Sequence, residues 1–350
     1  MSEQRLPALD GLRGFAALIV AVSHFSNYTN ILGGKLGFGA GQLGVMLFFA
    51  LSGFLMGWLY VPAQLTIPAV ITFLRRRFAR VVPLYILIVL ISFFWTTCLA
   101  GYYEPPYRIT EANIWDHLLF VKGTSVLWTI PVEVQFYVLF PLLWLIGTWS
   151  RRSLVLLSAA VIVVVAILGF PAPVQLVPYL PFFLGGLMLS VVPEGPAGRW
   201  REVLFLLALA MFIIAFPNLR NSIGIGADIV VESSGGRTVW HSPVYLLLTI
   251  AVLWTSLRSN WAAHLFANPV SVHLGAISYS FYLLHKPILL GLGSFPIVAA
   301  NHWLFLMVFL IATVGLATLS WRFIEVPARR ALTTLRSSDA ARNLHAEAAN

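Results

Sequence analysis

Apolar residues along this chain fall into long continuous runs separated by short polar connections. The runs lie near residues 11–29, 43–61, 81–100, 126–149, 153–170, 174–192, 202–217, 242–257, 274–292 and 302–324. They do not alternate with the two-residue period of a barrel strand, and most approach the roughly 20 residues that a helix needs to cross a bilayer. Lipid offers the backbone no hydrogen-bond partners, so only helices or closed barrels span it. The pattern predicts an all-α integral membrane protein, a bundle of about ten transmembrane helices. The seventh and eighth runs are short, and one of them is open to a re-entrant reading. A single transmembrane domain is expected over residues 1–335, followed by a polar, alanine-rich tail at 336–350 that frays.

Composition sharpens this reading. The chain is 59% hydrophobic and 10% charged, with a mean hydropathy of +0.86. A soluble domain is usually about 45–50% apolar and about 25% charged, so this chain has too little charge to cover a water-facing surface. A net charge of +9 would raise nucleic-acid binding in a soluble protein. Here the basic residues lie between apolar runs, so topology accounts for them and no nucleic-acid partner is expected. With the N-terminus inside, Lys35, Arg108, Lys122, Arg220 and Arg237 fall in outer connections, and Arg13, Lys286 and Arg322 fall within runs. The remaining fourteen basic residues fall inside, among them Arg75, Arg76, Arg77 and Arg80. That bias places both termini in the cytoplasm, and ten spans agree with the parity. Two long outer loops are expected, near 101–125 and 218–241. No signal-peptide cleavage site follows Met1–Asp10, so the first run is read as a span. The single cysteine, Cys98, forms no intrachain disulfide and says nothing of redox compartment.

Charge inside a membrane span costs from about 2.5 kcal/mol upward and commonly marks function. The first run carries Asp10, Arg13 and His24. Arg13 and His24 are eleven residues apart, close to three helical turns, so they share one face about 16 Å apart along the axis. A snorkelling arginine with a core histidine, and a functional pair, both fit that spacing. Arg75-Arg76-Arg77-Phe78-Ala79-Arg80 stands before the third run. It reads as a positive-inside anchor, or as a phosphate site in which Arg77 and Arg80 lie one turn apart. The fourth run opens Trp128-Thr129-Ile130-Pro131-Val132-Glu133-Val134-Gln135-Phe136-Tyr137. Glu133 there must be protonated, paired or facing a cavity. The ninth run holds Ser278-Tyr279-Ser280-Phe281-Tyr282-Leu283-Leu284-His285-Lys286-Pro287. Its tyrosines also suit a membrane interface, and His285 also suits a core hydrogen bond. Arg322 and Glu325 are spaced to pair at i, i+3 and close the bundle. Ser52 reads first as a small residue for close helix packing. No zinc spacing, HExxH, Walker loop or GxSxG elbow occurs.

In order, these pieces resemble the acyltransferase-3 family. Leu9-Asp10-Gly11-Leu12-Arg13-Gly14 with His24 is similar to its opening. Phe48-Phe49-Ala50-Leu51-Ser52-Gly53-Phe54-Leu55 is similar to its second-span signature. Arg77-Phe78-Ala79-Arg80 with Pro83 and Tyr85 resembles its arginine motif. Trp128–Tyr137, Ser278–His285 and Glu325-Val326-Pro327 resemble its later motifs. The likeness runs from about residue 5 to 330. Thr129-Ile130-Pro131 departs from the commoner serine and leucine after the tryptophan, which bears on the local shape near Glu133. Some relatives add an esterase-like domain, and none is expected here.

The resemblance implies a ten-helix enzyme that moves an acyl group, often acetyl, from acyl-CoA to a hydroxyl of a carbohydrate or glycosylated acceptor. No metal is implied, and the expected location is the cell (inner) membrane of a bacterium. The chemistry then assigns roles. A neutral His24 takes the acceptor proton, worth roughly 10²–10⁴-fold. Glu133 or Asp10 fixes the imidazole, as the third member of a triad does. Arg13, Arg77 and Arg80 hold the CoA phosphates. Ser52, Trp128, Tyr137, Tyr282 and His285 are candidates for contacting substrate or the developing oxyanion. Buried charge in ten spans suits a transporter or flippase on physics alone, but no paired Gly/Pro-interrupted halves are visible. A carrier relaying an acyl-histidine to a separate partner is the other alternative.

Overall fold

Each apolar run coincides with a helix in the computed structural model, which describes residues 6–99, 105, 107–168, 175–192, 200–224, 239–296 and 300–333. The first half of the chain forms α1 (Pro7–Thr29), α2 (Ala40–Tyr60), α3 (Ile67–Cys98), the short α4 (Ile114–Leu118), α5 (Thr129–Trp149) and α6 (Arg151–Leu168). The second half forms α7 (Leu180–Val191), α8 (Trp200–Ile214), α9 (Pro217–Ser222), α10 (Pro243–Ser256), α11 (Asn260–Phe266), α12 (Pro269–Gly293) and α13 (His302–Ser320). A π turn at Trp321–Glu325 continues α13. No strand occurs among the described residues. Much of the second outer loop, at 225–238, and the tail expected at 336–350 lie outside the described residues.

The helix ends follow from sequence. Pro7, Pro68, Pro243 and Pro269 occupy first-turn positions, where a missing N–H costs nothing. Thr66, Ser259, Asn268 and Asn301 accept orphan backbone N–H groups at their helix starts.

Among the described residues six candidate spans are long and apolar enough to cross a membrane: Pro7–Thr29, Ala40–Tyr60, Ile67–Cys98, Ser125–Trp149, Arg151–Leu168 and His302–Thr333. The others fall short for different reasons. α8 and α10 have 15 and 14 residues, about 22 and 21 Å against a hydrocarbon core of about 30 Å. α7 is shorter still. α12 has 25 residues, and the polar side chains of Ser278–Lys286 lower its hydropathy. On α3, α6 and α13 rows of leucine, isoleucine, valine and phenylalanine point outward, as a lipid-facing surface requires.

One boundary differs from expectation. The arginine cluster does not precede the third helix; it lies within it. α3 starts at Ile67 and runs 32 residues, about 48 Å. Arginine is a good helix former, and nothing between Thr66 and Arg80 breaks the helix. The surplus length carries Arg75–Arg80 at the end nearest Thr66.

The centre of the bundle is set by close backbone approach. A Cβ on Gly275 of α12 would overlap the Asp10 carbonyl of α1, and one on Gly14 would meet Leu274 and Gly275. On the second pair, Gly53 of α2 lies against the Phe183 carbonyl of α7 and Gly186 against that of Ala50. Small residues let helices touch in this way where lipid supplies no hydrophobic drive. Asp10 stands beside Gly275, His24 beside His285 and Tyr28 beside Gly293. The two helices are therefore parallel.

Candidate active site

α1 presents its polar residues along one face towards α2, α5 and α12, and they form two levels. The lower level surrounds a small cavity of about 40 Å³ lined by Arg13, Ser52, Glu133, Ser278, Tyr279 and Tyr282, with Val45, Phe48, Phe49 and Ile130 as its apolar wall. Glu133 Oε1 accepts hydrogen bonds from Ser52 Oγ at 3.2 Å and from the Tyr137 hydroxyl at 2.5 Å. Arg13 stands within range of the charges of Arg80, Glu133 and Asp10. Glu133 is thus hydrogen-bonded by two hydroxyls and within range of a cation, so its polar oxygen is not left unpaired inside the bundle. Ser52, read from sequence as a packing residue, is a partner of that carboxylate.

The upper level is the His24–His285 pair, with ring centroids 5.2 Å apart and planes tilted by 35°. His285 is fully buried, and its Nδ1 lies 2.6 Å from the Tyr282 carbonyl. A carbonyl only accepts, so Nδ1 carries the proton. Nε2 is then a lone-pair acceptor, buried and without a hydrogen-bond partner. Lys286 Nζ donates to Ser125 Oγ at 2.6 Å.

Local chemistry holds these groups in place. Pro287 has no N–H, which frees the Leu283 carbonyl four residues earlier. The buried Tyr107 hydroxyl donates to that carbonyl at 2.7 Å. Tyr279 donates to the Val81 carbonyl at 2.5 Å and Tyr282 to the Val126 carbonyl at 2.9 Å. Three tyrosines thus tie α12 to α3, to the segment before α4 and to the turn before α5. The hydroxyl protons of Tyr137 and Tyr282 are committed to these bonds. In this arrangement they are not free donors for an oxyanion, as the sequence reading had them.

Arg77 lies over the rings of Tyr60 and Phe73, 5.9 Å from each centroid. It and Arg80 both stand in range of Tyr137. Trp128, at the start of α5, packs on Tyr179 at 4.6 Å and on Trp240 at 5.7 Å, inside an aromatic cluster with Phe49. Asp10 does not reach His24. Fourteen residues separate them on one helix, about 21 Å, and Asp10 belongs with Arg13. Among the described residues Glu133 bonds to Ser52 and Tyr137 rather than to His24. The neighbour of His24 is His285.

Arg322 and Glu325 do not pair as the i, i+3 spacing suggested. The π turn bonds i to i+5, so positions three apart no longer share a face. Glu325 turns inward and accepts from Ser280, while Arg322 is exposed and lies over Phe323. Sequence reasoning missed Ser278, whose buried hydroxyl lines the cavity without a hydrogen-bond partner. Its spacing of four and seven residues from Tyr282 and His285 puts it on their helical face, which is a legible signal. Among the described residues no group of three or more His, Cys, Asp or Glu side chains could hold a metal ion.

Comparison with known proteins gives the site its class. The family model described as "Acyltransferase domain" (acyltransferase-3) matches residues 6–322. The Streptomyces mycarofaciens acyltransferase MdmB is 27% identical over 324 residues, covering 80% of this chain and 78% of that protein. The Staphylococcus aureus O-acetyltransferase OatA is 24% identical, covering 94% of this chain. A putative O-acetyltransferase of the same species is 25% identical over 93% of this chain. This chain spans only 58% and 57% of those two staphylococcal proteins. No solved structure gives a significant match. The polar face of α1, the half-buried carboxylate of Glu133 and the histidine pair therefore lie within an acyltransferase domain that fills nearly all of the described chain, and the protein belongs to the acyltransferase-3 family of membrane acyltransferases.

Proposed function

We propose that this chain is an O-acetyltransferase that moves the acyl group of acyl-CoA to a hydroxyl of a carbohydrate or glycosylated acceptor, with His24 as general base. The observation that carries the reading is the alignment of three features on one face of α1. These are a basic end (Arg13, with Arg77 and Arg80 nearby), a partly polar cavity, and a histidine pair about 16 Å from Arg13. That distance suits a donor with phosphates at one end of an extended arm and a reactive thioester at the other. Two of the similar relatives are named O-acetyltransferases, which favours acetyl as the acyl group.

In this reading the bundle has about ten spans, both termini face the cytoplasm, and the membrane is the inner (cell) membrane of a bacterium. The parallel packing of α1 and α12 supports it, because the first and ninth of ten spans run the same way. The CoA phosphates bind at Arg13, Arg77 and Arg80 on the cytoplasmic side, and the acceptor hydroxyl meets His24 from the other. His24 takes the hydroxyl proton as the new C–O bond forms and returns it to the thiolate as the C–S bond breaks.

The test is transfer by the purified protein in detergent, with acetyl-CoA labelled in its acetyl group and a mixed carbohydrate pool. Labelled ester on a pool member is expected. Failure to bind acetyl-CoA and to release free CoA overturns the reading.

A further inference from the structure

The buried histidine of α12 has one nitrogen fixed and one open. His285 Nδ1–H is held by the Tyr282 carbonyl at 2.6 Å, and that carbonyl is anchored because the Tyr282 hydroxyl bonds to Val126. Nε2 is left with a lone pair, no partner and no exposure. An acceptor left unpaired in a low-dielectric core is destabilising, so a group kept in that state calls for a donor. The imidazole of His24 lies 5.2 Å away, centroid to centroid. Two imidazoles joined in line by an N–H···N bond of about 2.9 Å have nearly that separation, so a modest rotation of the His24 ring closes the bond.

We propose that His285 is the positioning residue for His24, accepting one His24 N–H at Nε2 so that the other His24 nitrogen faces the acceptor hydroxyl as a lone pair. This rests on the acyltransferase reading above and replaces Glu133 and Asp10 in the supporting role. The chain is then acceptor O–H to His24, His24 N–H to His285 Nε2, and His285 Nδ1–H to the Tyr282 carbonyl. It gives His24 a single tautomer, which a lone imidazole lacks. It also orients the ring without a carboxylate. The proton moves from the acceptor to His24 and on to the departing thiolate, and His285 stays neutral. Lys286 is a cation in range of both rings, and its amine is turned to Ser125.

Two variants separate positioning from packing. His285→Asn keeps a donor for the Tyr282 carbonyl but removes the acceptor at the Nε2 position. His285→Gln restores an acceptor oxygen near that position. We expect kcat of His285→Asn to fall on the order of 100-fold with an unchanged KM for acetyl-CoA, and His285→Gln to recover much of the loss. Nitrogen-15 spectra of the imidazoles in the full chain provide a readout independent of turnover. Wild type should show one His24 tautomer with its N–H bonded to His285, and His285→Asn a mixture. An unaltered His24 tautomer in the Asn variant overturns the proposal, as does an equal loss in the Asn and Gln variants. Should the Asn variant not fold, a wild-type spectrum without the His24–His285 bond overturns it alone. An active His24→Ala variant defeats the acyltransferase assignment of His24 instead, and the tautomer spectrum still decides the pairing.

Discussion

The bond between Tyr107 and Leu283 yields a prediction that depends on a proline. Pro287 removes the N–H that would have closed the helix onto the Leu283 carbonyl, and the Tyr107 hydroxyl takes that place at 2.7 Å. Tyr107→Phe keeps the ring, which is 2% exposed, and removes only the donor. An unpaired buried carbonyl costs about 1–3 kcal/mol, while hydrogen bonds between membrane helices are worth about 0.6 on average and about 1.7 at most. A loss of about 1–2 kcal/mol follows, because this carbonyl has lost its usual helical donor. Pro287→Ala restores the backbone N–H, so in that background Tyr107→Phe should cost much less. The assay is a double-mutant cycle on unfolding in mixed detergent micelles. A coupling energy of about 1 kcal/mol is expected. Strictly additive losses refute the claim that the tyrosine replaces the proline's missing donor.

Three further outcomes follow from the same geometry. Gly275→Leu places a side chain against the Asp10 carbonyl and should separate α1 from α12. Thermal stability and transfer should be lost together, whereas a stable, active variant contradicts the packing. Ser278→Val removes a hydroxyl with no partner, so stability should hold or rise while KM for donor or acceptor increases; unchanged kinetics would show that the hydroxyl touches no substrate. Arg77→Lys and Arg80→Lys lose the planar fork that grips phosphate, so each should raise KM for acetyl-CoA about tenfold, corresponding to about 1.4 kcal/mol, with kcat nearly constant. Competition by CoA lacking its 3′-phosphate tells which arginine meets that group.

Much of the architecture is legible in the chain because each helix carries its own signal. The length of an apolar run marks a span, and Arg13, His24, Glu133 and His285 stand out as polar groups that lipid would reject. What the sequence leaves open is which of these meet. Periodicity places Arg13 and His24 on one face, but it says nothing of the neighbour that face meets. The pairing of His24 with His285 depends on the Gly14–Gly275 contact that sets α12 against α1. The partner of Glu133 was hidden for a similar reason, since Ser52 reaches it from another helix. The start of α3 was misjudged because hydropathy falls at Arg75–Arg80 although helix propensity does not. The turn of Glu325 towards Ser280 needed the π geometry, which no spacing rule for α-helices contains.

The central claim is that His24 performs acyl transfer, and the most direct test is free-CoA release by the purified full chain, wild type against His24→Ala. Both proteins are first shown to be folded and to bind acetyl-CoA equally, then mixed with the acceptor that wild type modifies. The account predicts a fall in release on the order of 10²–10⁴-fold in the variant with acetyl-CoA binding intact. Release at the wild-type rate from a folded His24→Ala protein would contradict it.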